Sequence, residues 1–138
     1  MTTESRSALL GRWRIVHMDE WDEDYLDLVV PAFIKFDKKQ DGQFQFGTVR
    51  GWLDVRFGTR DDQPLVEFSW EGENDTDPAC GRGWAVLRGE RLEGHLYIHT
   101  GDDSAFVALR PAAAGKERGE GASTRRRRAA RRSRGRPR

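Results

Sequence analysis

The chain lacks most of the features of secreted and membrane proteins. It contains one cysteine, Cys80, which excludes an internal disulfide and suits a reducing compartment. No stretch approaches the roughly 20 consecutive apolar residues of a transmembrane helix. The N-terminal segment "MTTESRSALL" lacks the apolar core of a signal peptide. The sequence therefore predicts a soluble, cytoplasmic protein with no membrane span.

Motifs of catalysis and of cofactor binding are absent as well. The chain has no nucleophile elbow, P-loop, dinucleotide fingerprint or Cys/His metal spacing. His95 and His99 lie four residues apart on a predicted strand, about 13 Å, which is too far for two ligands of one ion at about 2 Å per bond. We therefore expect no metal and no cofactor, and a non-enzymatic protein is favoured over an enzyme.

Charge of opposite sign is concentrated in two parts of the chain. Residues 1–110 hold 13 Lys and Arg against 21 Asp and Glu, whereas residues 111–138 hold 11 against 2. The C-terminal part also has no aromatic residue and no Leu, Ile or Val, so it cannot bury enough apolar surface to fold. We predict a folded domain at 1–110 and a disordered basic tail at 111–138.

The arginine run of the tail predicts association with polyanions. Non-specific contact with nucleic acid, docking onto the acidic domain and a tail without function all remain open, since the run has no interleaved aromatic residues for base stacking. The candidate contacts are Arg125, Arg126, Arg127, Arg128, Arg131 and Arg132.

Between the turn signals of the folded part, apolar residues mostly alternate with a period of two, which indicates half-buried strands. Eight strands are predicted, at 11–18, 32–37, 43–49, 51–57, 65–71, 82–88, 92–99 and 104–110. Alternation assigns the following side chains to the core: Trp13, Ile15, Ile34, Phe36, Phe44, Phe46, Leu53, Val55, Phe57, Val66, Phe68, Trp70, Leu96, Ile98 and Phe106. Aromatic rings of this size favour a filled interior, with a small apolar cavity as the alternative.

One helix interrupts the strands. In "DEWDEDYLDLVV" an apolar stripe at helical spacing follows Asp19 as a predicted N-cap and ends before Pro31; its members are Trp21, Tyr25, Leu28 and Val29. The short connections favour antiparallel pairing in sequence order. The predicted fold class is all-β: an up-and-down eight-stranded meander, closed into a barrel, with one short helix after the first strand. An open meander and a two-sheet sandwich are the alternatives.

The first and last strands carry a resemblance to a known group. Gly11-Arg12-Trp13 resembles the G-x-W of the first strand of lipocalins and the wider calycin group, and Arg110 resembles the arginine of their last strand. The resemblance implies a structural clamp in which Arg110 packs over Trp13. Residues 11–110 also resemble a set of small, functionally uncharacterised bacterial proteins, which implies no activity.

Two charged groups are candidate sites. Asp54, Arg56 and Glu67 share one side of the predicted sheet; they form an outer salt link, or, if a bulge turns them inward, a polar site for acid/base chemistry. The second is the acidic segment at residues 19–27, which is either a solvated surface or a surface for a protein partner. This segment lacks the loop pattern of a calcium site. Its members are Asp19, Glu20, Asp22, Glu23, Asp24 and Asp27.

Three functional hypotheses follow. The leading one is a non-enzymatic cytoplasmic barrel that binds a protein partner or a small apolar ligand. The first alternative is a nucleic-acid-associated protein that acts through its basic tail. The second is an enzyme that uses an interior cluster of Asp54, Arg56 and Glu67. The sequence leaves the oligomeric state open.

Overall fold

The computed structural model describes residues 3–111, of which the side chains are described from residue 6 onward. The predicted tail contacts, Arg125 to Arg128, Arg131 and Arg132, lie outside the described residues. The elements in chain order are α1 (Thr3–Leu9), β1 (Gly11–Met18), α2 (Glu23–Leu26), β2 (Phe33–Phe36), β3 (Asp41–Phe46), β4 (Val49–Arg60), β5 (Gln63–Asn74), β6 (Asp77–Arg88), β7 (Arg91–Ile98) and β8 (Asp103–Leu109).

The eight strands form a closed antiparallel barrel in sequence order. Each strand pairs with the next, and β8 returns to β1, where Arg14 lies opposite Leu109. A register shift between Ile15 and His17 marks a bulge at this seam. The predicted fold class is therefore confirmed, including the single short helix between β1 and β2, and closure removes the exposed sheet edges that an open meander would have.

The central hairpins are longer than predicted. The segments 58–64 and 71–81, which read as loops, belong mostly to β4, β5 and β6, each of 12 residues. Asp61 and Asp62 form the two-residue turn between β4 and β5, with φ of 52° and 67°. Asp75 begins the β5–β6 turn with φ of 63°. Aspartate tolerates this left-handed conformation, so a tight turn replaces a long loop.

The helical segments also differ from expectation. The N-cap of α2 is Asp22 rather than Asp19, and its side chain accepts a hydrogen bond from the amide of Tyr25. Since α2 ends at Leu26, the predicted stripe is wrong at Leu28 and Val29, which are 61% and 58% exposed. Helix α1 was not predicted, because "TESRSAL" carries no apolar periodicity.

The barrel interior is filled by aromatic and branched side chains. Of the fifteen predicted core residues, thirteen are buried, and Phe57 and Ile98 are partly buried. The ring of Phe44 packs edge-on against Trp70, with centroids 5.0 Å apart. Glycine at position 51 leaves room for these rings, because a Cβ there would lie 2.6 Å from Trp70. The interior thus accommodates these large rings because a neighbouring strand carries glycine where they pack.

Candidate functional site

The seam between the first and last strands is held by one arginine and one tryptophan. The guanidinium carbon of Arg110 lies 3.8 Å from the ring centroid of Trp13. The indole N–H of Trp13 donates to the carbonyl of Leu9 at 2.9 Å, which ties the ring to the end of α1. Burial lowers the pKa of Arg110. The arrangement closes the barrel and offers no surface for chemistry.

Backbone carbonyls complete this contact. Arg110 donates to Arg12 at 3.1 Å, to Ala8 at 2.9 Å and to Leu10 at 2.8 Å. Gly11 has φ of 99°, and a Cβ there would lie 3.2 Å from the Arg110 guanidinium. Glycine at this position therefore permits both the backbone turn into β1 and the close approach of Arg110.

The acidic segment near α2 is largely used within the fold. Asp22 is buried as the N-cap of α2. Asp27 accepts two hydrogen bonds of 2.9 Å from Arg14 and one of 2.9 Å from the amide of Ala32. His17 lies 2.9 Å from Asp19. Of the six predicted partner-surface residues, Asp22 is buried, Asp19 and Asp24 are exposed, and the other three are half-buried: Glu20, Glu23 and Asp27.

His17 links the end of β1 to helix α2. Its imidazole also lies 3.6 Å from the Glu23 carboxylate. The Glu23 carboxylate, more than that of Asp19, raises the pKa of His17 above its usual 6.5, against the opposing effect of burial. Because the folded-state pKa is raised, the stabilisation is fully present below pH 6.5 and is lost as the pH rises through the folded-state value.

We therefore expect the variant His17→Gln to lose stability in a pH-dependent way. The difference from the wild type in urea-unfolding free energy should be largest at about pH 5.5 to 6.5 and should shrink as the pH rises above the raised pKa. The control is His99→Gln, whose imidazole is exposed in the segment between β7 and β8. A difference that is constant from pH 5.5 to 8.5 would contradict the linkage.

The predicted polar group lies on the outside of the barrel. Asp54, Arg56 and Glu67 are all exposed, and the Arg56 guanidinium pairs with Asp54. The β4–β5 ladder is regular from Val49 to Arg60, so no bulge turns these side chains inward. The exposed positions agree with the predicted outer salt link, and the alternative of an interior cluster, on which the enzyme hypothesis depends, is wrong.

A broad groove lies on the outer face of β4, β5, β6 and β7. Register places the outward residues in rows across these strands. The first row contains Trp52, Glu71 and Cys80, and His99 extends it, since its amide donates to the Cys80 carbonyl at 2.7 Å. The second row contains Asp54, Ser69, Arg82, Tyr97 and Asp103. The third contains Arg56, Glu67, Trp84 and His95.

The groove has two lobes that share Ser69, Arg82 and Tyr97. The lobe toward the first row has a volume of about 1060 Å³, and the lobe toward the third row about 440 Å³. We call this surface, formed by the three rows, the outer groove. The outward aromatic residues of "GWLDV", "GRGWA" and "HLYIH" were the available signal: they occupy positions where alternation predicts polar side chains.

Arginine side chains stack on aromatic rings of the outer groove. Arg82 lies over Tyr97, with its guanidinium carbon 4.1 Å from the ring centroid, and Arg50 lies 5.3 Å from that of Trp52. Trp52 remains 50% exposed. Within residues 6–111, no Lys, Arg or His nitrogen lies within 4 Å of the carboxylates of Glu67 and Glu71. The groove therefore offers the exposed half of Trp52 and the carboxylates of Glu67 and Glu71 to a ligand.

The histidines and carboxylates of the outer groove are not arranged as ligands of a metal ion. His95 lies 2.6 Å from Asp103, and no group of three His, Cys, Asp or Glu side chains within the described range has a geometry that could hold an ion. None of the helices described here is long and apolar enough to cross a membrane.

No family model, no curated protein and no solved structure matches the chain.

Proposed function

We propose that the protein is a non-enzymatic binding module that holds an extended segment of a protein partner in the outer groove. The observation that carries this proposal is the juxtaposition of Trp52, Tyr97 and Trp84 on one concave outer face, with Trp52 half-exposed. Exposed aromatic residues surrounded by polar groups are typical of binding surfaces. The groove combines them with carboxylates and the Arg82 guanidinium.

The filled interior argues for a surface partner over an enclosed apolar ligand. An eight-stranded barrel is only just wide enough for its own side chains. Here Trp13, Trp70, Phe36, Phe44 and Phe46 are among the largest buried side chains of that interior. A small apolar ligand inside the barrel would have to displace them.

The open shape of the groove favours a peptide over a small molecule. A pocket for a small ligand encloses most of the ligand's surface. The outer groove instead extends along β6 from Cys80 to Trp84, a span of about 13 Å at about 3.3 Å per residue, and is open along its length. Four to six residues of extended chain match that span, and the alternating rows offer separate sites for successive side chains.

The proposal includes a relation to the calycin group and a cytoplasmic location. The relation is supported by the contact of Arg110 with Trp13 and by the closed antiparallel barrel. The location is supported by Cys80, an exposed free thiol that suits a reducing compartment.

Selection of random displayed peptides on the full chain tests this function. Peptides selected on the wild type should lose at least about tenfold in affinity for Trp52→Ala, since an aromatic anchor is typically worth more than 1.4 kcal/mol. The matched control is Val29→Ala, which truncates a comparably exposed apolar residue in the loop after α2. Affinity should be unchanged there. Peptides that bind Trp52→Ala as tightly as the wild type would refute binding in the outer groove.

Association with nucleic acid through the tail is the second candidate, supported by the density of arginines at 125–132. That segment lies outside the described residues. The enzyme hypothesis has lost its geometric support, because Asp54, Arg56 and Glu67 do not converge inside the barrel.

A further inference from the structure

We propose that the outer groove has an occupant within the same chain: the basic segment 125–132 of the C-terminal tail, which binds there and competes with the partner. The inference rests on the proposed function, because both use the same groove. It follows from three observations: the distribution of charge over the barrel, the reach of the tail, and the chemistry of the groove surface.

The negative charge of the barrel is concentrated at one end. Helix α2 and the β3–β4, β5–β6 and β7–β8 turns lie together at this end, which we call the mouth. The segments that approach it, residues 14–33, 45–52, 70–80 and 98–103, hold 12 Asp and Glu against two arginines. The rest of residues 1–110 holds 9 Asp and Glu against 11 Lys and Arg. The larger lobe of the outer groove adjoins this acidic end through Glu71 and Asp103.

Both arginines at the mouth are already engaged. Arg14 pairs with Asp27, and Arg50 donates to Glu73 at 2.9 Å. Carboxylates of this end that lie within about 8 Å of one another, the Debye length at physiological ionic strength, repel one another, whereas more distant pairs are largely screened. A polycation bound beside them relieves that repulsion. Segment 125–132 carries six arginines and no acidic residue.

The tail is long enough to reach the groove. It leaves the barrel after Arg110 at the end opposite the mouth, where Leu109 lies beside Arg91 of β7. Along β7 the distance from Arg91 to His99 is about 26 Å at about 3.3 Å per residue. The 13 residues 112–124 span at most about 43 to 47 Å when extended. The arginines therefore reach the groove with chain to spare.

The surface of the groove suits arginine in particular. Arg82 and Arg50 stack on Tyr97 and Trp52, which shows that the rings of this face suit guanidinium groups. Trp52 keeps half of its surface exposed. A tail guanidinium can cover that exposed area while it donates hydrogen bonds to the Glu71 carboxylate, which lies opposite Trp52 in the β4–β5 register. Lysine would provide the charge without the planar stacking.

Covalent attachment strengthens this contact. A segment joined by a short flexible linker has an effective concentration in the millimolar range, so even weak docking fills the groove. The apparent affinity for an external peptide is then the intrinsic affinity multiplied by the fraction of the protein in which the groove is free. A partner therefore needs a higher concentration or a tighter intrinsic affinity to displace the tail.

The test compares three full-length proteins by NMR of the tryptophan indole groups: the wild type, a variant with Arg125, Arg126, Arg127, Arg128, Arg131 and Arg132 changed to Gln, and one with the same six changed to Lys. At low salt the Trp52 indole resonance, assigned with Trp52→Phe, should differ between the wild type and the Gln variant. The Lys variant should lie between them. In about 1 M salt all three should coincide, since the Debye length falls to about 3 Å. The buried Trp13 indole serves as the internal control.

A displaced peptide gives the second measurement. Peptides from the display selection should bind the Gln variant about 5- to 10-fold more tightly than the wild type, which corresponds to a groove about 80 to 90% occupied. Dilution of the wild type should leave the Trp52 shift unchanged, because the contact is within one chain. A shift that disappears on dilution would overturn the proposal in favour of docking between two copies.

The outcomes separate this inference from the function on which it rests. Identical Trp52 resonances in the wild type and the Gln variant at low salt would overturn the tail contact, while loss of peptide binding in Trp52→Ala would still support the groove. If, in addition, the wild type bound an oligonucleotide and the Gln variant did not, the tail would be assigned to nucleic-acid binding instead. A Trp52 shift together with peptides indifferent to Trp52→Ala would leave the tail contact supported and refute the partner site.

Discussion

Replacing Trp13 by alanine is expected to lower the free energy of unfolding by about 3 to 5 kcal/mol. The Trp13 side chain is buried at 2% exposure and donates a hydrogen bond to Leu9, so the substitution removes a large buried surface and leaves a cavity at the end of the barrel. It also leaves Arg110 without the ring on which it stacks. Urea unfolding followed by far-ultraviolet circular dichroism measures the loss.

Two further variants make this expectation specific. Trp13→Phe keeps an aromatic face under Arg110 but loses the indole N–H, so it should recover part of the loss. Trp52→Ala, which truncates a half-exposed tryptophan, is the control and should change the unfolding free energy far less than Trp13→Ala. A loss of under about 1 kcal/mol for Trp13→Ala would show that the seam does not depend on this ring.

Replacing Arg110 by alanine is expected to cost about 1 to 3 kcal/mol, because it removes the stacking on Trp13 and three hydrogen bonds to backbone carbonyls. Since the two side chains touch, the double variant should lose less than the sum of the single variants. The matched control is the double variant of Arg60→Ala and Trp13→Ala. Its losses should add, because Arg60 stacks on Trp84, at 4.5 Å, and not on Trp13. Additive losses for Trp13 and Arg110 would contradict the clamp.

The side chains that fill the barrel could be predicted from the sequence because alternation has a period of two. A strand whose register is regular keeps every second residue on the same face, so Phe44, Phe46, Leu53 and Val55 needed no tertiary information. The strand boundaries were harder. Asp61 and Asp62 adopt positive φ in a two-residue turn, whereas the polar run around them looks like a longer loop.

The candidate site could not be predicted in the same way. A groove requires curvature of the sheet, and curvature is a property of several strands together. The sequence gives the outward position of Trp52, Trp84 and Tyr97, but the rows that bring them together depend on the register of β4 through β7. Helix α1 depends likewise on tertiary contact: Leu9 is fully buried only because the barrel end receives it.

The pairing of the last strand with the first affects how the chain folds as well as how stable it is. Hydrogen bonds from Arg110 join residues 98, 100 and 102 positions apart in sequence, whereas each hairpin from β3 to β8 joins neighbouring strands. Closing so long a loop costs more entropy than forming a local hairpin. We therefore expect the seam to form late on the folding pathway. Interactions that form after the transition state mainly slow unfolding, so Trp13 and Arg110 should lengthen the lifetime of the folded barrel more than they speed its formation.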